Sequence, residues 1–364
     1  MSQSLIPAAF SFVLGAVIGS FLNACIHRLP RNISLQYPKR SFCPHCKTTI
    51  PWYHNLPIVS WLWLRGRCAS CRAPISPRYI LVEILTGCVF LALWSRFDLP
   101  LAAAYWIFAA LLIAATFIDF EHYIIPDEIT KGGTVAGIVL SAAVPALMGV
   151  DSRWQAALWS LFAALLGATL LWLVVQGGKL AFGRKKIVPD HPEPFRFESD
   201  EENPRLLIDE EIWPWEEIFS RESDVLIIEC ERAVLNGVPI RDKSIRIFFN
   251  RVVVDGKETP IEDVRELTGV LTAVVIPREA MGLGDVKFIA CIGAFLGWQA
   301  VLFTITMSSV IGAVVGGGMM LATSGRAGGK IPFGPYLALA AALWLACGPE
   351  LVRLYLHTLR PGAP

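Results

Sequence analysis

Charge is scarce in this chain and is missing over long stretches. Charged residues make up 17% of the 364, hydrophobic ones 54%, and the mean hydropathy is +0.52. A soluble globular chain carries about 25% charged residues, so one water-soluble globule is excluded. From Arg28 to Arg78 there is no Asp or Glu against nine Lys or Arg. From Gly183 to Ala280, in contrast, lie 22 of the 31 acidic residues. The net charge of +1 averages over these segregated blocks. No basic face of the kind a nucleic acid needs is implied, and no nucleic-acid partner is expected. Also missing is a basic residue ahead of the N-terminal apolar run, so that run reads as a retained helix and not a cleaved signal peptide. The nine cysteines do not make a disulfide framework. Four form two Cys-x-x-Cys pairs, and the rest are single and mostly in apolar runs. This usage suits a reduced, cytoplasmic-type loop on a membrane protein.

What remains is apolar sequence in lengths that cross a bilayer. A span needs about 20 mostly apolar residues, and eight candidates follow: 7–27, 79–97, 100–118, 129–149, 155–181, 286–298, 300–322 and 334–357. The sixth is short, with a turn expected at Gly297-Trp298-Gln299. The first contains Gly15-x-x-x-Gly19, which permits close helix contact. The basic loops set the orientation. Nine Lys or Arg follow the first span, Lys179, Arg184, Lys185 and Lys186 follow the fifth, and Arg326 and Lys330 follow the seventh. The opposite loops hold little beyond Arg96 and Arg153. Both termini are therefore expected outside the cytoplasm.

The fold expected is an all-α polytopic membrane protein of about eight transmembrane helices, with a cytoplasmic zinc-knuckle loop and an inserted small β-rich soluble domain. Its parts are helix 1 (1–28), the zinc-binding loop (29–78), helices 2–5 (79–182), the soluble insert (183–277) and helices 6–8 (278–364). Within the insert, PDHPEPFRFESDEENPR is acid- and proline-rich and is expected to be flexible. VLIIEC, IRIFF and RVVVDGKETPI read as strands, with Asp255-Gly256 as a hairpin turn. LTGVLTAVVI (267–276) reads equally as a last strand or as a lead-in to helix 6.

Two groups of residues carry chemistry. Cys43-Pro-His-Cys46 and Cys68-Ala-Ser-Cys71 have the spacing of a tetrahedral zinc site with each pair clasping the metal from a tight knuckle. Gly66 and Pro44 suit turns beside the knuckles. Four thiolates leave no open position, so the zinc is expected to be structural, and His45 reads as a surface residue. The second group is acidic. Asp119 ends an unbroken apolar run, and Asp285 stands behind Gly282 and Gly284 at the start of another. The topology puts both on one side of the membrane. Two adjacent carboxylates share a proton, so one can activate water while the other donates to a carbonyl. Glu121 and Asp127 read as polar loop residues. Glu83, inside helix 2, is expected to contact Arg78 or another loop base. Lys287 is expected to snorkel, the other reading being an electrostatic effect on the acid pair.

The chain resembles the type IV prepilin peptidases, membrane aspartic proteases of the Gly-x-Gly-Asp class. The resemblance rests on Gly19-Ser20-Phe21-Leu22-Asn23, Arg28-Leu29-Pro30, the two Cys-x-x-Cys pairs, Ser60-Trp61, Arg65-Gly66-Arg67-Cys68, Pro74-Ile75-Ser76, Val82-Glu83, Asp119 with Pro126-Asp127, Met281-Gly282-x-Gly284-Asp285 and Ile331-Pro332-Phe333-Gly334-Pro335. It covers about 1–180 and 278–345. It implies catalysis by Asp119 and Asp285, zinc on Cys43, Cys46, Cys68 and Cys71, and cleavage of the leader of a prepilin or pseudopilin after a glycine at the cytoplasmic face of the inner membrane. It also implies N-methylation of the new N-terminus with S-adenosylmethionine, although no glycine-rich nucleotide turn marks where that donor binds. Gly282, Gly284, Asp127, Lys287 and Glu83 would support the site, the second reading of Glu83 being a role in methylation. The chain departs from the family at Tyr53-His54-Asn55, where an acid is common, and in its insert, which reads as a loop expansion or as a docking module for a pilus or secretion component. The rival reading is a non-enzymatic transporter or scaffold with a zinc knuckle.

Overall fold

A computed structural model describes residues 5–37, 40–182, 184–200, 203–209, 211–219, 224–240, 244–277, 282–322 and 332–359. Met281, Arg326, Lys330 and Ile331, used in the motif and charge readings, lie outside the described residues. The chain divides into two compact units, Met1–Trp172 with Gly282–Pro364, and Leu173–Met281.

The first unit is helical: α1 (Leu5–Arg28), a one-turn α2 (Val59–Trp63) in the first loop, α3 (Arg78–Arg96), α4 (Leu99–His122), α5 (Asp127–Ala143), α6 (Arg153–Phe182), α8 (Leu283–Ala322) and α9 (Gly334–Leu359). Six of these are long and apolar enough to cross a membrane by length and composition, with α8 counted once; about eight spans is not confirmed. Helix α5 has 17 residues, about 25 Å of rise against a hydrocarbon core of about 30 Å. The two spans expected at 286–298 and 300–322 are two helices that meet within α8 at Gly297, where the backbone is non-helical (φ 80°, ψ 176°). A Cβ on Gly293 would stand 2.8 Å from Val301 Cγ2, so the chain turns back at Gly297 as expected. Three residues before it, the Ala294 carbonyl accepts from both Ser141 (3.1 Å) and Ser160 (2.7 Å). Side-chain hydroxyls from α5 and α6 satisfy backbone where helical geometry fails, as an apolar medium requires.

Packing in this unit depends on absent side chains. A Cβ on Gly15 would stand 2.7 Å from the Thr86 carbonyl, and one on Gly19 would stand 2.8 Å from Glu83 Cα. The Gly15-x-x-x-Gly19 face is therefore the seam between α1 and α3. The same spacing recurs unannounced at Gly133 and Gly137, where a Cβ would meet Cys291 Sγ at 2.6 Å and Ala294 Cβ at 2.7 Å. Large residues fill the spaces between these seams, with Phe108, Phe288 and Phe295 fully buried. Phe90 stacks on Trp106 at 5.2 Å, and the Trp106 indole N–H donates to the Phe90 carbonyl (2.9 Å), so the buried polar edge is satisfied.

The second unit is an antiparallel sheet of ten strands: β1 (Arg184–Ile187), β2 (Glu193–Asp200), β3 (Asn203–Ile208), β4 (Glu211–Pro214), β5 (Val225–Leu235), β6 (Val238–Pro239), β7 (Ser244–Phe248), β8 (Arg251–Val254), β9 (Lys257–Pro260) and β10 (Leu267–Pro277), with a one-turn α7 (Trp215–Ile218). The order is β4-β3-β2-β10-β5-β7-β8-β9, with β1 on β10 and β6 on β5. The ambiguous segment 267–276 is β10, a strand at the centre of the sheet. Alternate residues of β5 and β7 point inward, and Leu226, Ile228, Ile245 and Ile247 are fully buried, the period-2 pattern of a sheet with one wet face. Asp255 and Gly256 both take positive φ (50° and 72°) between β8 and β9, as a two-residue hairpin requires. Asn236-Gly237 (50° and 78°) makes the same turn between β5 and β6.

The acid-rich stretch expected to be flexible is instead largely ordered. β2 pairs with β10 and β3, and Phe195 and Phe197 are among the core residues. Their alternation with charged neighbours is a strand pattern, and burial of the two rings outweighs the acidic composition.

Candidate active site

Asp119 lies three residues from the end of α4, is buried, and accepts a hydrogen bond on Oδ2 from the Gly334 backbone N–H (2.9 Å). Gly334 opens α9, just after Pro332-Phe333. A Cβ there would stand 2.7 Å from Asp119 Oδ2, so the contact requires glycine. Asp285 lies in the first turn of α8, is also buried, and accepts from the Gly282 backbone. The charge of Asp119 acts on Asp285, so the fold brings together two acids 166 positions apart. The Ile125 side chain approaches both Gly284 and Gly334, and so packs beside each acid. Neither Gly282 nor Gly284 takes positive φ. A Cβ on Gly282 would stand 3.7 Å from Asp285 Oδ2 and one on Gly284 3.5 Å from Ile125, so neither glycine is required by a contact within this chain.

Lys287 does not snorkel freely. Its Nζ lies 2.6 Å from Asp127 Oδ1, and Lys131 Nζ lies 2.6 Å from Asp127 Oδ2. Hydrogen bonds from Lys131 and Lys287 hold the Asp127 carboxyl below the usual carboxylate range. Asp127 is therefore the first residue of α5 and its tie to the start of α8, not a plain loop residue. Glu121 pairs with Arg78, linking α3 to the end of α4. That pairing corrects the expected partner of Glu83: its Oε2 instead accepts the Ile58 backbone N–H (2.7 Å). Sequence reasoning passed over the Gly334 N–H and Ile125. A main-chain donor leaves no mark in residue type, although the Pro-Phe-Gly-Pro run did signal a helix start.

Cys43, Cys46, Cys68 and Cys71 place their Sγ atoms within 4.8 Å of one another. Cys43 and Cys71 stand 3.8 Å apart, Cys46 and Cys68 4.0 Å. Four bonds of about 2.3 Å to a tetrahedral zinc need sulfur–sulfur edges of about 3.8 Å, so the cluster fits a metal ion. Two copies of one knuckle build it, 25 residues apart. Lys47 N donates to the Cys43 carbonyl and Arg72 N to the Cys68 carbonyl, while Cys43 N donates to Thr48 O and Cys68 N to Ala73 O. Lys47 and Arg72 both take positive φ, as does Gly66 at the entry to the second knuckle. Hydrogen bonds from Thr48 bring the Cys46 thiol down to about 6, and backbone hydrogen bonds from Cys71 and Ser70 lower that of Cys68. A backbone hydrogen bond from Ala73 acts to lower the Cys71 thiol, but desolvation and hydrogen bonds to Cys46, Cys68 and Cys43 outweigh it and push that thiol up to about 11, so Cys71 is a ligand that would give up its proton on meeting the metal. His45 is exposed, as expected.

The helices, the buried aspartate pair and the four-cysteine loop define a polytopic membrane protein with a loop whose four thiols fit a metal ion and an acid site at helix ends. Residues 13–97 match the bacterial peptidase A24 N-terminal domain, and residues 106–187 and 266–317 match the type IV leader peptidase family. The chain belongs to the type IV leader peptidase family. The match breaks off between 187 and 266, across most of the β unit. The prepilin leader peptidase/N-methyltransferase of Aeromonas hydrophila is 29% identical, over 95% of this chain and 92% of that protein. The protein of that name from Myxococcus xanthus is 33% identical, over 88% of this chain and 65% of its own length. A third, from Dichelobacter nodosus, is 31% identical over 50% of this chain and 71% of its own. No solved structure matches. Membership of a peptidase family favours an enzyme over the transporter or scaffold reading.

Proposed function

We propose that this protein is a membrane aspartic endopeptidase that removes the leader peptide of type IV prepilins or type II secretion pseudopilins. The observation that carries the proposal is the pair of buried, electrostatically coupled aspartates, Asp119 and Asp285. Asp119 accepts a main-chain N–H at the start of a long helix, where negative charge is favoured, and so serves as the charged base that takes a proton from water. Asp285 carries the shared proton and donates it to the scissile carbonyl. Attack gives a tetrahedral diol, and the proton held by Asp119 passes to the leaving nitrogen, with no acyl-enzyme. Gly282 and Gly284 leave room for the substrate backbone beside Asp285. The Asp127–Lys287 pair fixes the start of α8.

In this reading residues 1–28, 79–182 and 278–364 form the membrane part, with 29–78 and 183–277 in the cytoplasm and both termini outside. The acids then face the cytoplasm, and the apolar stretch of the pilin enters laterally between helices. Zinc held by Cys43, Cys46, Cys68 and Cys71 closes the first loop and takes no part in hydrolysis. S-adenosylmethionine would supply a methyl group for the new N-terminus. The β unit would dock a pilus or secretion component.

The test is cleavage of a co-expressed prepilin. Asp119→Asn and Asp285→Asn should each reduce processing by about a thousandfold or more at unchanged protein level. Full processing by either variant would defeat the assignment.

A further inference from the structure

Between its two knuckles the first loop carries a stretch unlike the rest of it. No Asp, Glu, Lys or Arg occurs from Thr48 to Leu64, although Lys47 and Arg65 flank the stretch and the loop as a whole is basic. The stretch holds a 3-10 turn (Trp52–Asn55) and α2. Val59, Leu62 and Trp63 stand at i, i+3 and i+4 and so share one face of α2. All three are exposed, Trp63 by 83%. Trp52, Tyr53 and Leu56 are exposed just ahead of the helix.

The other face of α2 is tied down. Ser60 is buried and donates to the Tyr53 carbonyl (3.0 Å). The Trp61 ring lies where a Cβ on Gly66 would stand 2.8 Å from it. At the entry to α2, Ile58 takes φ 64° and ψ −52°, a strained conformation for a β-branched residue that surrounding structure has to impose. It aims the Ile58 N–H at Glu83, whose Oε2 accepts it at 2.7 Å.

That contact sets the depth of α2. Glu83 stands five residues after Arg78, where the α3 span begins, which is about 8 Å along the helix. Gly19 of the α1 span packs on Glu83 Cα at the same level. Near this level the spans expose Phe21, Leu81 and Ile84, the lipid-facing surface of α1 and α3. A helix whose entry is pinned here does not clear the bilayer surface. Helices that lie in the membrane plane sit at about this depth, about 5–10 Å into the boundary, with tryptophan at the headgroup level.

We propose that α2 is an interfacial anchor whose partner is the lipid bilayer. Val59, Leu62 and Trp63, with Trp52 and Leu56, lie in the headgroup–acyl boundary and continue the lipid-facing surface of α1 and α3. The two knuckles, with exposed His45, Lys47, Ser70 and Arg72, stay in water. An apolar surface of this kind left in water would invite association, and acyl chains solvate it instead. The first loop is then held to the membrane in its middle as well as at its ends. The inference needs only that α1 and α3 span a membrane, so it stands apart from the peptidase reading.

The test uses the full chain in nanodiscs of phosphatidylcholine that carries a diazirine high in one acyl chain. After ultraviolet activation, lipid adducts are mapped by mass spectrometry. They should fall on peptides within 52–63 and on α1 around Phe21, and not on the knuckles at 43–48 and 68–73. Leu62→Ser combined with Trp63→Ser should lower the adducts on 52–63 about tenfold, with the α1 adducts and the melting transition unchanged. Adducts on α1 alone would overturn the proposal. So would equal labelling of the knuckles, parent-level adducts in the double variant, or crosslinks from 52–63 to a second copy of this chain in place of lipid. If the double variant does not fold, the map of the parent protein decides.

Discussion

The two units weight the same means of packing differently. In the helical unit, contact is closest where side chains are missing: Gly15 and Gly19 against α3, Gly133 and Gly137 against α8. In the β unit, contact comes from bulk, with Phe195, Phe197, Leu226, Ile228, Ile245 and Ile247 filling one face of the sheet. The solvent explains the difference. Lipid tails are as apolar as leucine, so burying a large side chain between membrane helices gains little, and close backbone approach decides. Water rewards every apolar area removed from it. The same residue types therefore carry different information in the two halves of one chain.

This contrast says that removing atoms should damage one unit and adding them the other. Phe197→Ala should have the largest effect, about 3–5 kcal/mol off the stability of the β unit, read as faster amide exchange across β2, β3 and β10 with α4 and α8 unaffected. Exchange that rises equally in both units would show they do not fold independently. Gly334→Ala comes next. The added methyl overlaps Asp119 Oδ2, and displacement of the acid should slow prepilin cleavage about a hundredfold while the protein remains assembled. Unchanged cleavage would remove Gly334 from the site. The smallest effect is a matched pair. Gly137→Ala adds a methyl against Ala294 and Phe295 and should cost about 1–3 kcal/mol by thermal unfolding in detergent. Gly132→Ala, with nothing within 4 Å, should cost nothing. Equal melting of the two would mean the α5–α8 seam is not close-packed.

Legibility in the sequence followed the same division. Gly15-x-x-x-Gly19 could be read because its spacing states its geometry, and the two Cys-x-x-Cys pairs because a metal imposes theirs. Asp119 and Asp285 stood out because an acid at the edge of an apolar run is expensive. Gly133-x-x-x-Gly137 was equally visible and was missed, since glycines in a polar-starting helix drew no notice. The acidic stretch around Phe195 and Phe197 was misread because composition was weighed over alternation. Partners could not be read at all: Lys287 could have gone to water, and Glu83 to Arg78. Only the fold sends Lys287 to Asp127, Arg78 to Glu121 and Glu83 to a strained main-chain N–H. The turn at Gly297 was legible because glycine there interrupts an apolar run, and it divides α8 into the two helices expected.

The β unit begins and ends on paired strands, with Arg184 of β1 opposite Pro277 of β10. The chain therefore leaves the α6 sequence and returns toward α8 at neighbouring points. To the rest of the molecule, some ninety residues behave as a closed hairpin, so the entropy of joining its ends is already met by the sheet. Such a segment can be gained, lost or exchanged for another with the same footprint while its flanks keep their spacing. Descent by splicing at this seam would give a family whose membrane parts agree and whose inserts need not.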